Sequence, residues 1–277
     1  MMDVSLGVVL DAARKKAPLV HCVTNYVTAH EVANAILASG GRPIMADDPA
    51  EAVEIASAAD ALLLNVGTPC RRTAEAMRLA GRKAMELGRP IVLDPVGAGA
   101  SRLRTETSRA LVSELHPAVI RGNISEVLAL AQGVGATRGV DAAAADAVTE
   151  ANLAQKALFA RRVARETGAV MAISGVLDLV ADADTCVVLR NGCARMGGVT
   201  GCGCMLTGLV AVFAAAFPES PLAATVAAVA AMGVAGEIAE ARLRPDEGHA
   251  TFGLRIVDAL SLLDGKTLEK GARCEFL

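Results

Sequence analysis

Two cysteines stand among glycines in the stretch RMGGVTGCGCMLTGL, residues 195–209, and a mostly apolar, uncharged run follows them. The spacing of Cys202 and Cys204 does not match a Cys-x-x-Cys redox pair, and no second Cys or His pair stands at a zinc-ligand spacing. Gly201 and Gly203 let the backbone turn with its N–H groups exposed, and a helix is predicted from about Gly203. The positive end of that helix would favour negative charge, so the stretch predicts an anion hole for a transferred phosphoryl group.

Cys204 would then lie in the first turn of the predicted helix. The helix dipole favours a thiolate at this position, so we expect a lowered pKa if the thiol is accessible. The alternative interpretation is a small buried residue that fills space, which is a common use of cysteine.

Charged side chains stand where predicted strands end. Asp94 closes an apolar strand, where a carboxylate is costly without a partner or a metal, although it could also be a turn residue before Pro95. Glu126 follows Asn123 by three residues, which is typical of a helix cap, and it could alternatively order water around Mg²⁺. Asp94 and Glu126 together would suit Mg²⁺, which takes one or two carboxylates and keeps most of its waters. Arg121 could pair with an acid or clamp a phosphate.

A parallel sheet would bring these residues together. Short, near-continuous apolar runs alternate with helical patterns along the chain, as parallel strands covered on both faces require. Polar and glycine residues follow these runs, among them Asn25, Gly67 and Ser174, and ligands bind outside the carboxyl ends of such strands. The predicted strands cover residues 18–24, 61–66, 90–94, 118–121, 169–174 and 186–189.

The helices between the strands carry start and stop signals. Thr28 and Glu31 form a capping-box pattern for a helix that Gly40 and Gly41 would end. Ser220 precedes a proline at the first position of another helix. Two further helices are predicted over residues 73–87 and 142–167.

Composition narrows the class of protein. The chain has 277 residues, a net charge of −3 and no long basic run, so nucleic acid and anionic membranes are poor candidate partners. Seven cysteines at irregular spacing give no disulfide framework, and the N-terminus shows no secretory pattern, so we expect a cytoplasmic location. The uncharged runs 196–218 and 220–236 could suggest a membrane hairpin, but glycines, Pro218–Glu219 and the absence of flanking Trp or Tyr favour buried helices.

No repeat, linker or composition break divides the chain. We therefore expect one α/β domain over residues 1–277, a three-layer αβα sandwich with a mostly parallel central sheet.

Six segments, in order along the chain, resemble the hydroxyethylthiazole kinase family of the ribokinase-like superfamily. They cover residues 21–51, 62–68, 90–101, 120–130, 173–178 and 199–209. The resemblance implies Mg²⁺-dependent transfer of a phosphoryl group from ATP to the primary alcohol of 4-methyl-5-(2-hydroxyethyl)thiazole. It also implies a homotrimer with active sites at the subunit interfaces.

The resemblance also implies roles for single residues. The implied positions are Asn25, Met45, Gly67 and Gly201 for the thiazole, Arg121 and Ser174 for ATP, and Asp94 and Glu126 for the metal. Ser174 stands where the family often has threonine, and it keeps the hydroxyl. Cys202 stands where the family usually has Ala or Thr, and it is a departure from the pattern.

Most ribokinase-like kinases end the glycine turn with an aspartate that serves as the base, whereas this family and this chain have cysteine there. Because phosphoryl transfer through a loose transition state needs only modest base help, Cys204 is a weak base or a positioning group in our hypothesis. The anion hole, with Gly201 and Gly203, and Mg²⁺ would then supply most of the rate.

Two other functions stay open at this point. The first is a kinase of the same fold for another heteroaromatic alcohol such as hydroxymethylpyrimidine. Met45 and the segment 21–51 argue against this alternative. The second is a non-catalytic ligand-binding or membrane module. The set Asp94, Arg121, Glu126 and Gly201–Cys204 disfavours that second reading.

Overall fold

The computed structural model describes residues 4–132 and 147–277. The strands in these residues are β1 (Leu19–Val23), β2 (Arg42–Met45), β3 (Ala61–Asn65), β4 (Ile91–Asp94), β5 (Val119–Asn123), β6 (Val170–Ser174), β7 (Asp178–Ala181), β8 (Cys186–Leu189) and β9 (Cys274–Phe276). They form one sheet in the order β2-β1-β3-β4-β5-β6-β7-β8-β9. The strands from β2 to β6 in this order are parallel, and β7, β8 and β9 continue the sheet as antiparallel strands.

The strand register aligns the carboxyl ends of the parallel strands. Asn65 at the end of β3 pairs with Asp94 at the end of β4. Asn123 at the end of β5 pairs in the same way with Ser174 at the end of β6. Polar residues that are far apart in the sequence therefore lie side by side at one edge of the sheet.

The described helices are α1 (Leu6–Lys16), α2 (Ala29–Ala38), α3 (Pro49–Ala58), α4 (Arg71–Glu86), α5 (Arg102–Leu115), α6 (Ile124–Gln132), α7 (Leu153–Thr167), α8 (Cys202–Ala216), α9 (Pro221–Ala241), α10 (His249–Leu262) and α11 (Gly265–Gly271). Helices α1, α2 and α8–α11 pack on one face of the sheet, and α3–α7 pack on the other. Successive strand side chains alternate between the two cores: Leu63 joins the first, while Leu62 and Leu64 join the second. The three-layer αβα sandwich is confirmed.

Among the described residues, α9 is long and apolar enough to cross a membrane by length and composition alone. However, 83% of its apolar window is buried inside the molecule, where the helix packs against α1, α8 and α10. This burial is that of a core helix, as the sequence predicts for residues 220–236.

All six predicted strands are present, with ends shifted by no more than two residues. The prediction misses β2, β7 and β9, which contain only three or four residues each. Strand β2 lies at the sheet edge and is only partly buried, so it lacks the continuous apolar run of the inner strands.

The predicted helix over 142–167 is wrong for residues 147–152, which precede the observed helix α7. Residues 142–146 lie outside the described ranges, and α7 begins only at Leu153, after a single 3₁₀ turn at Glu150–Asn152. The side chain of Asn152 accepts the N–H group of Thr149 at 2.9 Å, which starts the turn at this point.

Candidate active site

Asp94 occupies the centre of the polar edge. Its side chain is fully buried, and Oδ2 accepts hydrogen bonds from Asn65 Nδ2 at 3.0 Å and Thr207 Oγ1 at 2.7 Å. The other oxygen, Oδ1, is buried without a hydrogen-bond partner among the described residues. Burial raises the pKa of Asp94, and the nearby Arg121 opposes that shift. An oxygen of this kind is available to a cation or to a ligand that brings a donor.

Arg121 lies on β5 between Asp94 and the N-terminus of α8. Its Nη1 is 3.7 Å from Asp94 Oδ2, and its Nη2 donates to Ser174 Oγ at 2.5 Å. A side chain at Gly203 would overlap the guanidinium group, so only glycine lets the start of α8 approach the cation this closely. The guanidinium and the helix N-terminus both favour a bound anion at this place.

Glu126 forms a reciprocal cap at the start of α6. Its Oε2 accepts the N–H group of Asn123 at 2.8 Å, and Asn123 Oδ1 accepts the N–H group of Glu126 at 2.9 Å. The structure thus confirms the helix-cap interpretation of this pair. The second oxygen, Oε1, reaches the loop after β4 and accepts the N–H group of Gly97 at 2.8 Å. Burial and the charge of Asp94 raise the pKa of Glu126 to about 7.

Cys204 lies in the first turn of α8, which begins at Cys202, and Gly201 is its N-cap residue at φ +83°. Only 8% of Cys204 is exposed, and its Sγ accepts an N–H group from Asn65 Nδ2 at 3.2 Å. Burial and the charge of Asp94 raise the pKa of this thiol. A lowered pKa is expected only for an accessible thiol, and that condition is not met: Cys204 is buried, as in the alternative interpretation. Burial also raises the pKa of Cys202, to about 12.

Asn25 follows β1 and holds the start of α2. Its Oδ1 accepts the N–H group of Thr28 at 3.1 Å, and its Nδ2 donates to Thr28 Oγ1 and to Asn65 Oδ1, both at 2.9 Å. The predicted capping box of Thr28 and Glu31 is wrong, because the Thr28 side chain makes no cap hydrogen bond. The helix nevertheless begins directly after Thr28.

Gly67 packs against Asn25 at the end of β3. A Cβ atom at Gly67 would lie 2.9 Å from three atoms of the Asn25 side chain, so a larger residue would displace that side chain. Met45 is the last residue of β2, the edge strand next to β1. It is 39% exposed and lies beyond the polar residues at the ends of the inner strands.

The structure adds three polar residues to which the sequence analysis assigns no role. Thr207 follows Gly203 by one helical turn and faces Asp94, a position that the i, i+4 spacing on α8 could have indicated. Asn65 joins β3 to Asp94 and Cys204. Asp178 starts β7 and accepts the N–H group of Gly175 at 2.9 Å, and burial raises its pKa to about 6.

The sheet order and the two helical layers are those of the ribokinase-like fold. A ribokinase-like superfamily protein from Enterococcus faecalis V583 shares the fold, with a TM-score of 0.59, 12% identity and coverage of 94% of this chain and 89% of that chain. The chain also matches the model of the hydroxyethylthiazole kinase family over residues 10–266, and it belongs to that family.

Two relatives agree with this assignment over nearly the whole chain. A hydroxyethylthiazole kinase from Clostridium acetobutylicum is 45% identical over 266 residues, which is 96% of this chain and 97% of the relative. The structure of a hydroxyethylthiazole kinase protein from Pyrococcus horikoshii OT3 is 33% identical with a TM-score of 0.86, and the match covers 98% of both chains.

Proposed function

We propose that the protein transfers a phosphoryl group from ATP to the hydroxyl of 4-methyl-5-(2-hydroxyethyl)thiazole, in thiamine biosynthesis. Membership of the family supports both the kinase activity and the substrate. The observation that carries the proposal in the structure is the approach of the Arg121 guanidinium to the glycine turn at the start of α8, beside buried Asp94. This arrangement suits a transferred phosphoryl group. Residues 1–277 act as one catalytic domain in this proposal.

Arg121 and Ser174 bind ATP in the proposal. Their side chains already form a hydrogen bond, which holds the guanidinium at the end of β5 and β6. Arg121 Nε is buried without a partner among the described residues, so the guanidinium has donor capacity left for a phosphate.

Asp94 and Glu126 hold Mg²⁺ in the proposal. The unpartnered, buried Oδ1 of Asp94 fits a hard cation that takes one or two carboxylates. Because both oxygens of Glu126 accept backbone N–H groups, we expect it to act on the water ligands of the ion. When bound, Mg²⁺ would neutralise charge on the phosphates.

Asn25, Met45, Gly67 and Gly201 contact the thiazole in the proposal. Asn25 lies next to Gly67 and next to the thiol of Cys204, which supports a pocket at the ends of β1 and β3. This position would bring the hydroxyl of the alcohol close to the glycine turn. Met45 would close the pocket from the edge strand β2.

The backbone at Gly201 and Gly203 stabilises the charge on the phosphoryl group during transfer. The hydroxyl oxygen of the alcohol attacks the γ-phosphorus, the bond to the leaving ADP oxygen breaks, and the hydroxyl proton leaves to water or to the small fraction of Cys204 that is thiolate. Because the raised pKa of Cys204 keeps the thiol protonated, its contribution as a base is small in this proposal.

The proposed assembly is a cytoplasmic homotrimer whose active sites lie at subunit interfaces. Exposed apolar side chains border the proposed pocket: Tyr26 is 82% exposed, Val27 is 55% exposed and Met45 is 39% exposed. An open surface cavity of about 470 Å³ also includes Tyr26 in its lining. A second copy of the chain would cover this apolar rim and complete the pocket.

The test is ADP release by the purified protein with ATP, Mg²⁺ and hydroxyethylthiazole, compared with hydroxymethylpyrimidine and with no alcohol. We expect turnover that depends on the thiazole. Preference for hydroxymethylpyrimidine would leave the fold and the phosphate site in place and contradict the pocket assignment. No turnover with either alcohol would contradict the proposed reaction and favour a binding function.

A further inference from the structure

The side chain of Asn65 uses its whole hydrogen-bonding capacity inside the candidate site. A primary amide has two N–H donors and an oxygen with two lone pairs. Asn65 Nδ2 donates to Asp94 Oδ2 at 3.0 Å and to Cys204 Sγ at 3.2 Å. Its Oδ1 accepts from Asn25 Nδ2 and from the N–H group of Gly67, both at 2.9 Å. Only 2% of Asn65 is exposed, so water is poorly placed to substitute for these partners.

The four partners allow one orientation of the amide only. If the group were rotated by half a turn, its oxygen would face the Asp94 carboxylate and the Cys204 sulfur. Its NH₂ group would at the same time face the donors of Asn25 and Gly67. The hydrogen bonds with Asp94, Asn25 and Gly67 would be lost together, which strongly disfavours the rotated orientation at a buried position.

We infer that Asn65 is the positioning residue that joins the thiazole pocket to the thiol of Cys204, an inference that rests on the proposed function. On the oxygen side, the amide fixes Asn25 and Gly67, which line the proposed pocket. On the nitrogen side, it donates to the sulfur, so the thiol proton points away from Asn65 and the sulfur stays in place beside the glycine turn. The amide thereby fixes the position of the bound alcohol relative to the thiol of Cys204.

The variant Asn65→Asp tests the contacts of the amide nitrogen separately from those of the amide oxygen. The carboxylate keeps an oxygen for Asn25 and Gly67 but loses both N–H donors. We therefore expect the KM for hydroxyethylthiazole to stay within about threefold of the wild type. The kcat should fall at least about tenfold, because hydrogen bonds to charged or reacting groups are worth that much or more.

Asn191 provides a matched control outside the site. It is 7% exposed, its Nδ2 lies 3.3 Å from a carboxylate oxygen of Glu237, and its Oδ1 accepts the backbone N–H group of Arg273 at 2.7 Å. Asn191→Asp therefore makes the same chemical change beside a carboxylate. It should lower the Tm while kcat and KM remain within about twofold of the wild type.

A double-mutant cycle with Cys204→Ser distinguishes positioning from a structural role. If Asn65 acts through the thiol, each single variant lowers kcat about tenfold, and the double variant lowers it by about the same factor. A fall of about a hundredfold in the double variant would overturn the inference, because the two residues would then act independently.

Two further measurements keep the result unambiguous. Should Asn65→Asp fail to fold by circular dichroism, Asn65→Ser removes the amide without adding charge and enters the same cycle. An Asn65 variant with wild-type kcat, or one with an unchanged kcat and a raised KM, would also overturn the inference. Turnover by the wild-type protein is measured beside each variant, so failure of the proposed function would show separately as an inactive wild type.

Discussion

At the scale of single residues, the buried thiol of Cys204 limits how this site can handle the hydroxyl proton. Its pKa is raised by burial and by Asp94, and the Thr28 side chain, the charge of Arg121 and the N–H group of Asn65 compensate only in part. At neutral pH the thiol therefore stays protonated. The loose transition state of phosphoryl transfer tolerates this, because most of its charge lies on the phosphoryl oxygens, which the proposed reaction places near Arg121 and the start of α8.

Cys204→Asp tests this account. A carboxylate has a lower intrinsic pKa than a thiol, and Asn65 could donate its N–H group to the new oxygen. We expect kcat to equal or exceed that of the wild type, measured as ADP release at saturating ATP and thiazole. Cys204→Ser is the control that removes the thiol without adding a base. Loss of nearly all activity in the aspartate variant would indicate a role that only a thiolate can fill.

Sequence reasoning predicts part of the site at this scale. Asp94 and Arg121 could be placed because they end apolar strands, where the topology brings ligand-binding residues together. Asn65 and Thr207 could not be assigned a role, because their importance arises from contacts between strands and α8 that are distant in the sequence. The sequence left open whether the Cys204 thiol is accessible or buried, because the helix dipole is local, whereas the burial that raises the pKa comes from the packed sheet.

At the scale of elements, the first residue of β7, Asp178, has a carboxyl group with a strongly raised pKa. Burial raises the pKa of Asp178 from 3.8 to about 6, although the N–H group of Gly175 and the charge of Arg121 oppose the shift. A carboxyl group whose pKa is higher in the folded protein binds its proton more tightly there. Its contribution therefore makes the folded state less stable as the pH rises from about 4 to about 6.

Asp178→Asn should remove this dependence on pH. Relative to the wild type, the variant should gain stability between pH 4 and pH 6, by up to about 3 kcal/mol, and then keep that gain at higher pH. Urea unfolding at several pH values measures the difference. Asp184→Asn, at a side chain that is 92% exposed, serves as the control and should show no such trend. A constant difference at every pH would contradict the burial argument.

The elements that sequence reasoning located are those whose pattern reflects burial on both faces. The inner strands β3 and β4 are continuous apolar runs with every residue buried, so their positions were evident. Strands β2 and β9 lie at the two edges of the sheet and are partly exposed, so their sequences give no comparable run. An edge strand is stabilised largely by pairing with its neighbouring strand, and this pairing cannot be recognised from the edge strand's own sequence.

At the scale of the whole molecule, two adjacent apolar residues outside the two cores lie exposed next to the proposed pocket. The sandwich buries α8 and α9 almost completely, yet Tyr26 and Val27, in the turn between β1 and α2, stay exposed beside buried Asn25. Exposure of adjacent large side chains next to a polar site is typical of a surface that another chain covers. The sequence pattern alone does not predict this surface, because the turn is too short to show any periodicity.

Val27→Asp tests whether this surface holds the proposed trimer together. We expect the wild type to sediment as three chains of 28.2 kDa, and the variant to dissociate and lose most of its thiazole kinase activity. A buried, unpaired carboxylate at an interface costs several kcal/mol, which is enough to separate subunits at micromolar concentration. Leu158→Asp, at a 64% exposed position on α7, is the matched control and should keep both assembly and activity. A wild type that is monomeric and fully active would show that one chain completes its own pocket, whereas dissociation of the Leu158 variant would place the interface on α7.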